Sequence, residues 1–387
     1  MSVGELVHWF EDNWEELQLK LINGFFKPTS VLGAEIPKDS GGVRQLGIPT
    51  VINRVVQQSI QQVIEKIYEP QFSESSYKFR PKRSAHDALR QSSKNVAEGK
   101  YVIVDIDLAK FFDEVNHDIL MERLGHKISD KVLLKLIRRF LQVGLMMNGV
   151  AVERKKGAPQ GGALSPLLAN ILLDELDKEL EQRNLAFVRY ADDMQIYVRT
   201  NKVGKRVMAS VTNFLEKKLK LKVNYDKAKV TKAGKSEFLG YIIGIGGHLF
   251  ISKKSLNKAK DKIRLINKRS RGHVTFMQMV EELNRFLGGW LNYFKMAEAK
   301  SKLKFLGQWM RRKLRCVTIK RLKRAKGIAR WLIKRGIKRN EAWKLAGSSK
   351  GYWRKSLNPQ MSMAMSNDWL ESHGLINPVE RWFNLKH

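Results

Sequence analysis

Cysteine is almost missing from this sequence: Cys316 stands alone among 387 residues. A single thiol excludes an intramolecular disulfide and a cysteine-built zinc finger, and it gives no reason to place the chain in an oxidising compartment. Long apolar runs are missing too. No stretch approaches the roughly 18 consecutive apolar residues of a membrane-spanning helix. The opening MSVGELVHWFEDNWEEL is acidic and amphipathic, without the basic start and continuous apolar centre of a signal peptide. Fixed-period repeats and low-complexity tracts are absent. The last scarcity is local. Residues 201–387 hold 11 acidic side chains against 45 basic ones, whereas residues 1–200 hold 27 of each.

What is present is ample core material, 43% hydrophobic and 9% aromatic residues, which excludes a disordered basic tail. The length suits two or three domains, because single cores stop growing near 250–300 residues. A formal charge of +34 carried entirely by the second half points to a polyanion, nucleic acid before an anionic membrane. A soluble cytoplasmic protein is expected.

Apolar spacing predicts a helix over 5–25, a hairpin of Val31–Pro37 and Val43–Ile48 with Lys38 and Arg44 on either side of its tip, and a helix from Val51 to Tyr68 ended by Pro70. A polar segment, 73–84, carries Lys78, Arg80, Lys82 and Arg83 ahead of a helix at 86–97. The strand Tyr101–Leu108 places Asp105 and Asp107 on one face, because side chains alternate along a strand. Helices follow near 117–126 and 129–143, then a hairpin around Asn148-Gly149, a turn at 157–162 and a helix at 165–182. The stretch 186–199 reads as strand, turn, strand, with Ala191-Asp192-Asp193 in the turn. A helix at about 203–221, strands at 223–230 and 237–245, and a basic, almost wholly helical region at 255–346 complete the pattern.

Two adjacent acids in a tight turn between apolar strands carry an electrostatic cost that a cation would offset. Together with Asp107 at a strand end, Asp192 and Asp193 suggest a carboxylate cluster for a hard divalent ion, Mg2+ or Mn2+. For any one of them, a solvated turn residue is the alternative. The order of segments decides more than any single acid. IPKDSGGVRQLGIPTVINRVVQQSI (36–60), SYKFRPKRSAHDAL (76–89), VDIDLAKFFDEVNHDIL (104–120), GAPQGGALSPLLANILLDELD (157–177), VRYADDMQIYV (188–198) and EFLGYII (237–243) together resemble the group II intron reverse transcriptase/maturase family of the bacterial type.

The resemblance implies an α+β, right-hand polymerase: fingers over 1–100 with the N-terminal helix, a palm with an antiparallel sheet over 101–250, a helical basic thumb, or domain X, over 251–346, and a C-terminal maturase tail over 347–387. It implies an RNA-directed DNA polymerase that extends a DNA primer with dNTPs on an RNA template and also binds group II intron RNA. Asp107, Asp192 and Asp193 would hold two Mg2+ ions, with Mn2+ as a substitute, and Asp105 and Asp113 would serve locally. Lys38 and Arg44 match the triphosphate-binding basic pair, with a solvated hairpin as the alternative. Phe112 matches the aromatic that abuts the sugar and disfavours a 2′-hydroxyl, while Phe111 fits the core. Gln160 matches the residue beside the incoming base. Lys227 matches a lysine near the pyrophosphate or is a surface lysine.

Arg80, Lys82, Arg83 and His86 are expected along the template as phosphate contacts, which position rather than specify. Residues 301–350 hold 18 basic residues and one acidic residue with Trp309, Trp331 and Trp343 interspersed. A solvated face usually mixes signs, so Arg311, Arg312, Lys313, Lys320, Arg321, Lys323 and Arg324 are expected on RNA phosphates. Val280, Leu283, Phe286, Leu287, Trp290, Leu291 and Phe294 form a core stripe. Relative to the family, a short N-terminus and no following endonuclease domain are expected. A non-enzymatic RNA-binding splicing factor and a reverse transcriptase serving diversity generation or phage defence remain the other readings, while Phe112 disfavours an RNA-dependent RNA polymerase.

Overall fold

The computed structural model describes residues 3–37, 42–147, 150–152, 154–268 and 273–386. Helix α1 (Leu6–Ile22) leads to strands β1 (Val31–Pro37) and β2 (Val43–Ile48), which pair antiparallel from Leu32↔Ile48 to Pro37↔Val43. Helix α2 (Val51–Tyr68) starts where the Thr50 hydroxyl accepts from Asn53 N–H. Helix α3 (Ala85–Ala97) starts at a reciprocal Ser84/Asp87 capping box. Each such cap satisfies orphan N–H groups and contributes about 1 kcal/mol.

Strand β3 (Val102–Asp107) is followed by the short α4 (Phe111–Glu114), then α5 (His117–Gly125) and α6 (Lys131–Gln142), capped by the side chains of Asn116 and Asp130. Strands β4 (Leu145–Met147) and β5 (Val150–Val152) pair with each other, and β4 lies parallel to β1, giving a sheet of order β2-β1-β4-β5. The hairpin tip expected at Asn148-Gly149 lies outside the described residues. Helix α7 (Ser165–Gln182) is buried all round over 167–173, while its second half carries charged residues.

Strands β6 (Ala186–Tyr190) and β7 (Asp193–Val198), helix α8 (Asn201–Lys217) and strand β8 (Lys229–Lys232) complete a second sheet of order β6-β7-β3-β8, antiparallel throughout. The strand expected over 223–230 starts late because Asn224 O accepts from both Lys227 N and Ala228 N, closing a turn. One core joins side chains of α2, α5, α6, α7 and α8 to β3 and β7.

The chain divides into two compact units, Met1–Ser236 with Ile245–Gly247, and Glu237–Gly244 with His248–His387. The second unit begins with β9 (Glu237–Phe238), β10 (Tyr241–Ile243) and β11 (Leu249–Ile251), an antiparallel sheet of order β11-β10-β9. The sequence reading assigned these residues to the palm. By packing they go with the helices, since the Tyr241 ring lies 4.9 Å from that of Phe294 and Tyr293 OH donates to Leu239 O at 2.8 Å. The helices are α9 (Lys253–Ile266), α10 (Phe276–Tyr293), α11 (Lys300–Leu322), α12 (Ala325–Ile333) and α13 (Arg339–Gly347), then the shorter α14 (Tyr352–Lys355), α15 (Pro359–Ala364), α16 (Asn367–Ser372) and α17 (Pro378–Lys386). Val280, Leu283, Leu287 and Leu291 bury one face of α10, as their spacing predicts. Among the described residues, no helix is long and apolar enough to cross a membrane.

Candidate active site

The register of the second sheet sets Asp107 directly opposite Asp193 and Asp105 directly opposite Gln195. Alternation then puts all four side chains on one face, with Asp192 next to Asp193 in the turn. That turn requires a left-handed residue, and Ala191 supplies it at φ 60°, a conformation that costs a non-glycine residue about 1–2 kcal/mol. The neighbouring Arg189 holds it. Arg189 Nη1 donates to Ala191 O at 3.2 Å and to Asn170 Oδ1 at 3.0 Å, while Nε and Nη2 bind both oxygens of Asp177 on α7. Arg189 and Asp177 are both fully buried.

Burial, then the charges of Asp105, Asp192 and Asp107, push the Asp193 carboxyl up to about 7, with only the Lys227 ammonium opposing them. Burial also pushes Asp105 up to about 6, against hydrogen bonds from Ser236 and Gln195. Asp107 is held differently. Its Oδ2 lies 2.9 Å from Lys227 Nζ and accepts from Asn224 Nδ2 at 3.0 Å, and its carbonyl accepts from Asn224 N at 2.8 Å. As these side chains stand, no group of three or more His, Cys, Asp or Glu residues among the described ones is gathered to hold a metal ion. The donor chemistry nevertheless fits a hard divalent cation: Asp107, Asp192 and Asp193 offer carboxylate oxygens, and burial, then the neighbouring acids, raise the Asp193 carboxyl.

Phe111 is buried in the core. Phe112 is half-buried, edge-on to it at 5.2 Å. The carbonyl of Phe112 accepts from Ala158 N, which ties the segment of Gln160 to α4. Gln160 is half-buried, and its carbonyl accepts from Gly47 N of β2 at 2.8 Å. At Gly161, at φ 127°, glycine is required. A Cβ on Gly161 would lie 2.6 Å from Gly47 O, and one on Gly162 would lie 2.3 Å from Gln57 Oε1. Lys38 lies outside the described residues, and Arg44 is placed by its backbone, paired with Ile36.

The basic residues divide more sharply than the sequence suggests. Arg80, expected on the template, is a correction. Its side chain is buried, ion-paired to Glu69 at 2.9 Å, and donates to the carbonyls of Ser73, Ser76 and Glu69, so its donors are consumed within the fold. Arg83 pairs with Glu74 and stands over the Tyr77 ring, whereas Lys82 is exposed. On α11, Arg312 donates to Trp353 O and stacks on that ring at 3.9 Å, and Arg321 donates to Val274 O at 2.7 Å. These contacts tie α11 to neighbouring segments while both side chains stay half-buried. Arg311, Lys313 and Lys320 are half-buried. Lys323 and Arg324 are exposed.

Sequence reasoning missed Arg189, Asn224, Gln195 and Ser236. Gln195 was within reach, two residues after Asp193 and therefore on its face. No local pattern announces Ser236.

Residues 36–243 match the family described as reverse transcriptase (RNA-dependent DNA polymerase), and residues 256–337 match the group II intron, maturase-specific domain. Protein YkfC of Escherichia coli (strain K12) is 32% identical over 282 residues, 62% of this chain and 72% of that protein. The group II intron-encoded protein LtrA of Lactococcus lactis subsp. cremoris is 37% identical over 180 residues, which is 46% of this chain but 30% of LtrA. Among solved structures, apo telomerase from Candida Tropicalis shares the fold, with a TM-score of 0.50 at 12% identity over 96% of this chain and 73% of that one. The first match covers more than half of the 387 residues and contains every strand of the acidic site, so the chain belongs to the reverse transcriptase family and carries a group II intron maturase-specific domain behind the polymerase fold.

Proposed function

We propose that the chain is an RNA-directed DNA polymerase that extends a primer with dNTPs on an RNA template and that it also binds group II intron RNA to assist splicing. The pairing of Asp107 with Asp193 at the end of β3 and β7, beside Asp192, carries this reading. Reverse transcriptases generally use divalent metals; here Asp107, Asp192 and Asp193 are the residues that would hold two Mg2+ ions. Divalent ions in such a site make a primer 3′-hydroxyl more acidic and neutralise charge on the leaving pyrophosphate.

The protein's own contribution is placement and electrostatics, since phosphoryl transfer needs no protein nucleophile. The Lys227 ammonium pairs with Asp107 and would be available to the pyrophosphate if a cation bound that carboxylate. Half-buried Phe112 presents a ring edge to the sugar, where a 2′-hydroxyl would clash. Gln160, held to β2 through its backbone, supports the incoming base, and Lys38 and Arg44 receive the triphosphate. Of the cations expected on RNA phosphates, Lys82, Lys323 and Arg324 are exposed.

Primer extension on an RNA template tests the reading. Asp192→Ala should lower the rate by about 10²–10³-fold or more, and unchanged cDNA synthesis in that variant sinks the assignment.

A further inference from the structure

Directly beneath the Asp107/Asp193 pair lies a buried polar cluster that the proposed reaction leaves without a task. Asp105 faces Gln195 one step further into the sheet, on the same face. The Ser236 hydroxyl lies 2.8 Å from both Asp105 oxygens and accepts from Gln195 Nε2 at 2.7 Å. Gln195 Nε2 also donates to Asp105 Oδ1, and Tyr197 OH donates to Gln195 Oε1 at 2.7 Å. Gln195, Tyr197 and Ser236 are each 1% exposed or less. Across the other edge of β3, Asp105 faces Lys229.

The fold has no need of this cluster. Neighbouring positions of β3 carry Val102, Ile103, Val104 and Ile106, all buried, whereas Asp105 is half-buried, and an apolar residue there would avoid the desolvation of a carboxylate. The cluster does act on the site. Asp105 and Asp107 stand two residues apart on one face of β3, opposite Gln195 and Asp193 of β7. The two hydrogen-bond partners of Asp105 lie on β7 and four residues after β8, so the carboxylate is tied to both sides of β3.

We propose that Asp105, clasped by Ser236 and Gln195, is a positioning residue for Asp193: it fixes β7 against β3 at the acidic pair and adds negative potential that tightens the hold on a divalent cation. The proposal rests on reading Asp107 and Asp193 as cation-binding residues.

The experiment uses the full chain with Mn2+ as probe. Free Mn2+ is followed by electron paramagnetic resonance, beside Mg2+ titrations of primer extension at saturating dNTP and primer–template. Asp105→Asn keeps the shape and removes the charge. It should weaken Mn2+ binding about tenfold, as expected for a divalent ion losing a nearby unit charge in a partly screened site. The Mg2+ midpoint should rise by the same factor, while the rate at saturating Mg2+ stays within about threefold of wild type. Ser236→Ala, which keeps the charge but releases it, should shift both about threefold in the same direction. Exposed Asp113 provides the control, and Asp113→Asn should match wild type.

A variant with Mn2+ affinity and Mg2+ midpoint equal to those of Asp113→Asn, with only its melting temperature lowered, overturns the proposal and leaves the polymerase reading standing. Asp105-dependent Mn2+ binding in a wild type that makes no cDNA supports the proposal and overturns the polymerase reading. If Asp105→Asn does not fold, Ser236→Ala decides by the same two readouts.

Discussion

The two units differ in whether buried arginines have acidic partners. In the first unit cations meet anions: Arg189 binds Asp177 with both fully buried, and Arg80 binds Glu69. In the second unit, where acids are scarce, arginines meet carbonyls and rings. Arg315 donates twice to Met365 O at the end of α15, Arg312 binds Trp353 O and lies on its ring, and Arg335 stacks on Trp331 at 3.8 Å and stands over Trp369 at 5.3 Å. A guanidinium has five donors and a weakly hydrated planar face, so carbonyls at a helix end and aromatic faces can replace a carboxylate. An ammonium is worse suited, and Lys323, Lys326, Lys334, Lys338 and Lys344 are all exposed. A count of basic residues therefore overstates the surface available to RNA.

The largest expected effect comes from breaking the fully buried pair. Arg189→Met leaves Asp177 an uncompensated carboxylate and frees the strained Ala191 turn, and it should cost about 3–5 kcal/mol in urea unfolding. Arg189→Met combined with Asp177→Leu should cost less than Arg189→Met alone, because no orphaned charge remains. A double variant as damaged as the sum of the single ones would show that the two groups act independently and would end the contrast with the second unit.

The fold was legible where local chemistry and burial agreed. The strands β1 and β2 and helix α7 fall where apolar spacing puts them, α2 where its Thr50 cap does, and the alternation of Asp105 and Asp107 translates directly into the register with β7. It was illegible where distant partners decide. Arg80 reads as one more cation in a basic segment until Glu69 and three carbonyls close around it. Ser236 has no signal because its significance lies 131 residues away in Asp105. The strand expected from Val223 was lost to the turn that lets Asn224 grip Asp107, so the departure from pattern coincides with the site.

A second difference is in acid titration. Among the described residues, the carboxyls raised by burial, Asp105, Asp174, Asp177 and Asp193, all belong to the first unit. Asp174 isolates the effect away from the acidic pair. Burial first, then Asp177, push it up from 3.8 to about 6, and its Oδ1 is buried without a hydrogen-bond partner. A carboxyl raised in the folded state binds more protons there than when unfolded, so stability falls as pH rises from about 4 to about 6. Asp174→Asn removes that loss. The variant should match wild type at pH 4 and exceed it at pH 7 by at most ~3 kcal/mol. Equal melting temperatures at both values would place no cost on the buried acid.

The smallest effect separates the two fates of cations in the second unit. Arg315→Met removes two donors from Met365 O and should cost about 1–3 kcal/mol, while the dependence of RNA affinity on salt stays as it is, because this guanidinium is already occupied. Lys323→Ala with Arg324→Ala should leave unfolding unchanged and reduce the slope of log affinity against log salt by up to about 2, since each phosphate contact contributes a little under one counterion. Measuring both slopes on one structured RNA decides the matter. If Arg315→Met flattens the slope as much as the exposed pair does, its guanidinium reaches phosphate in the complex, and the carbonyl contact gives way when RNA arrives.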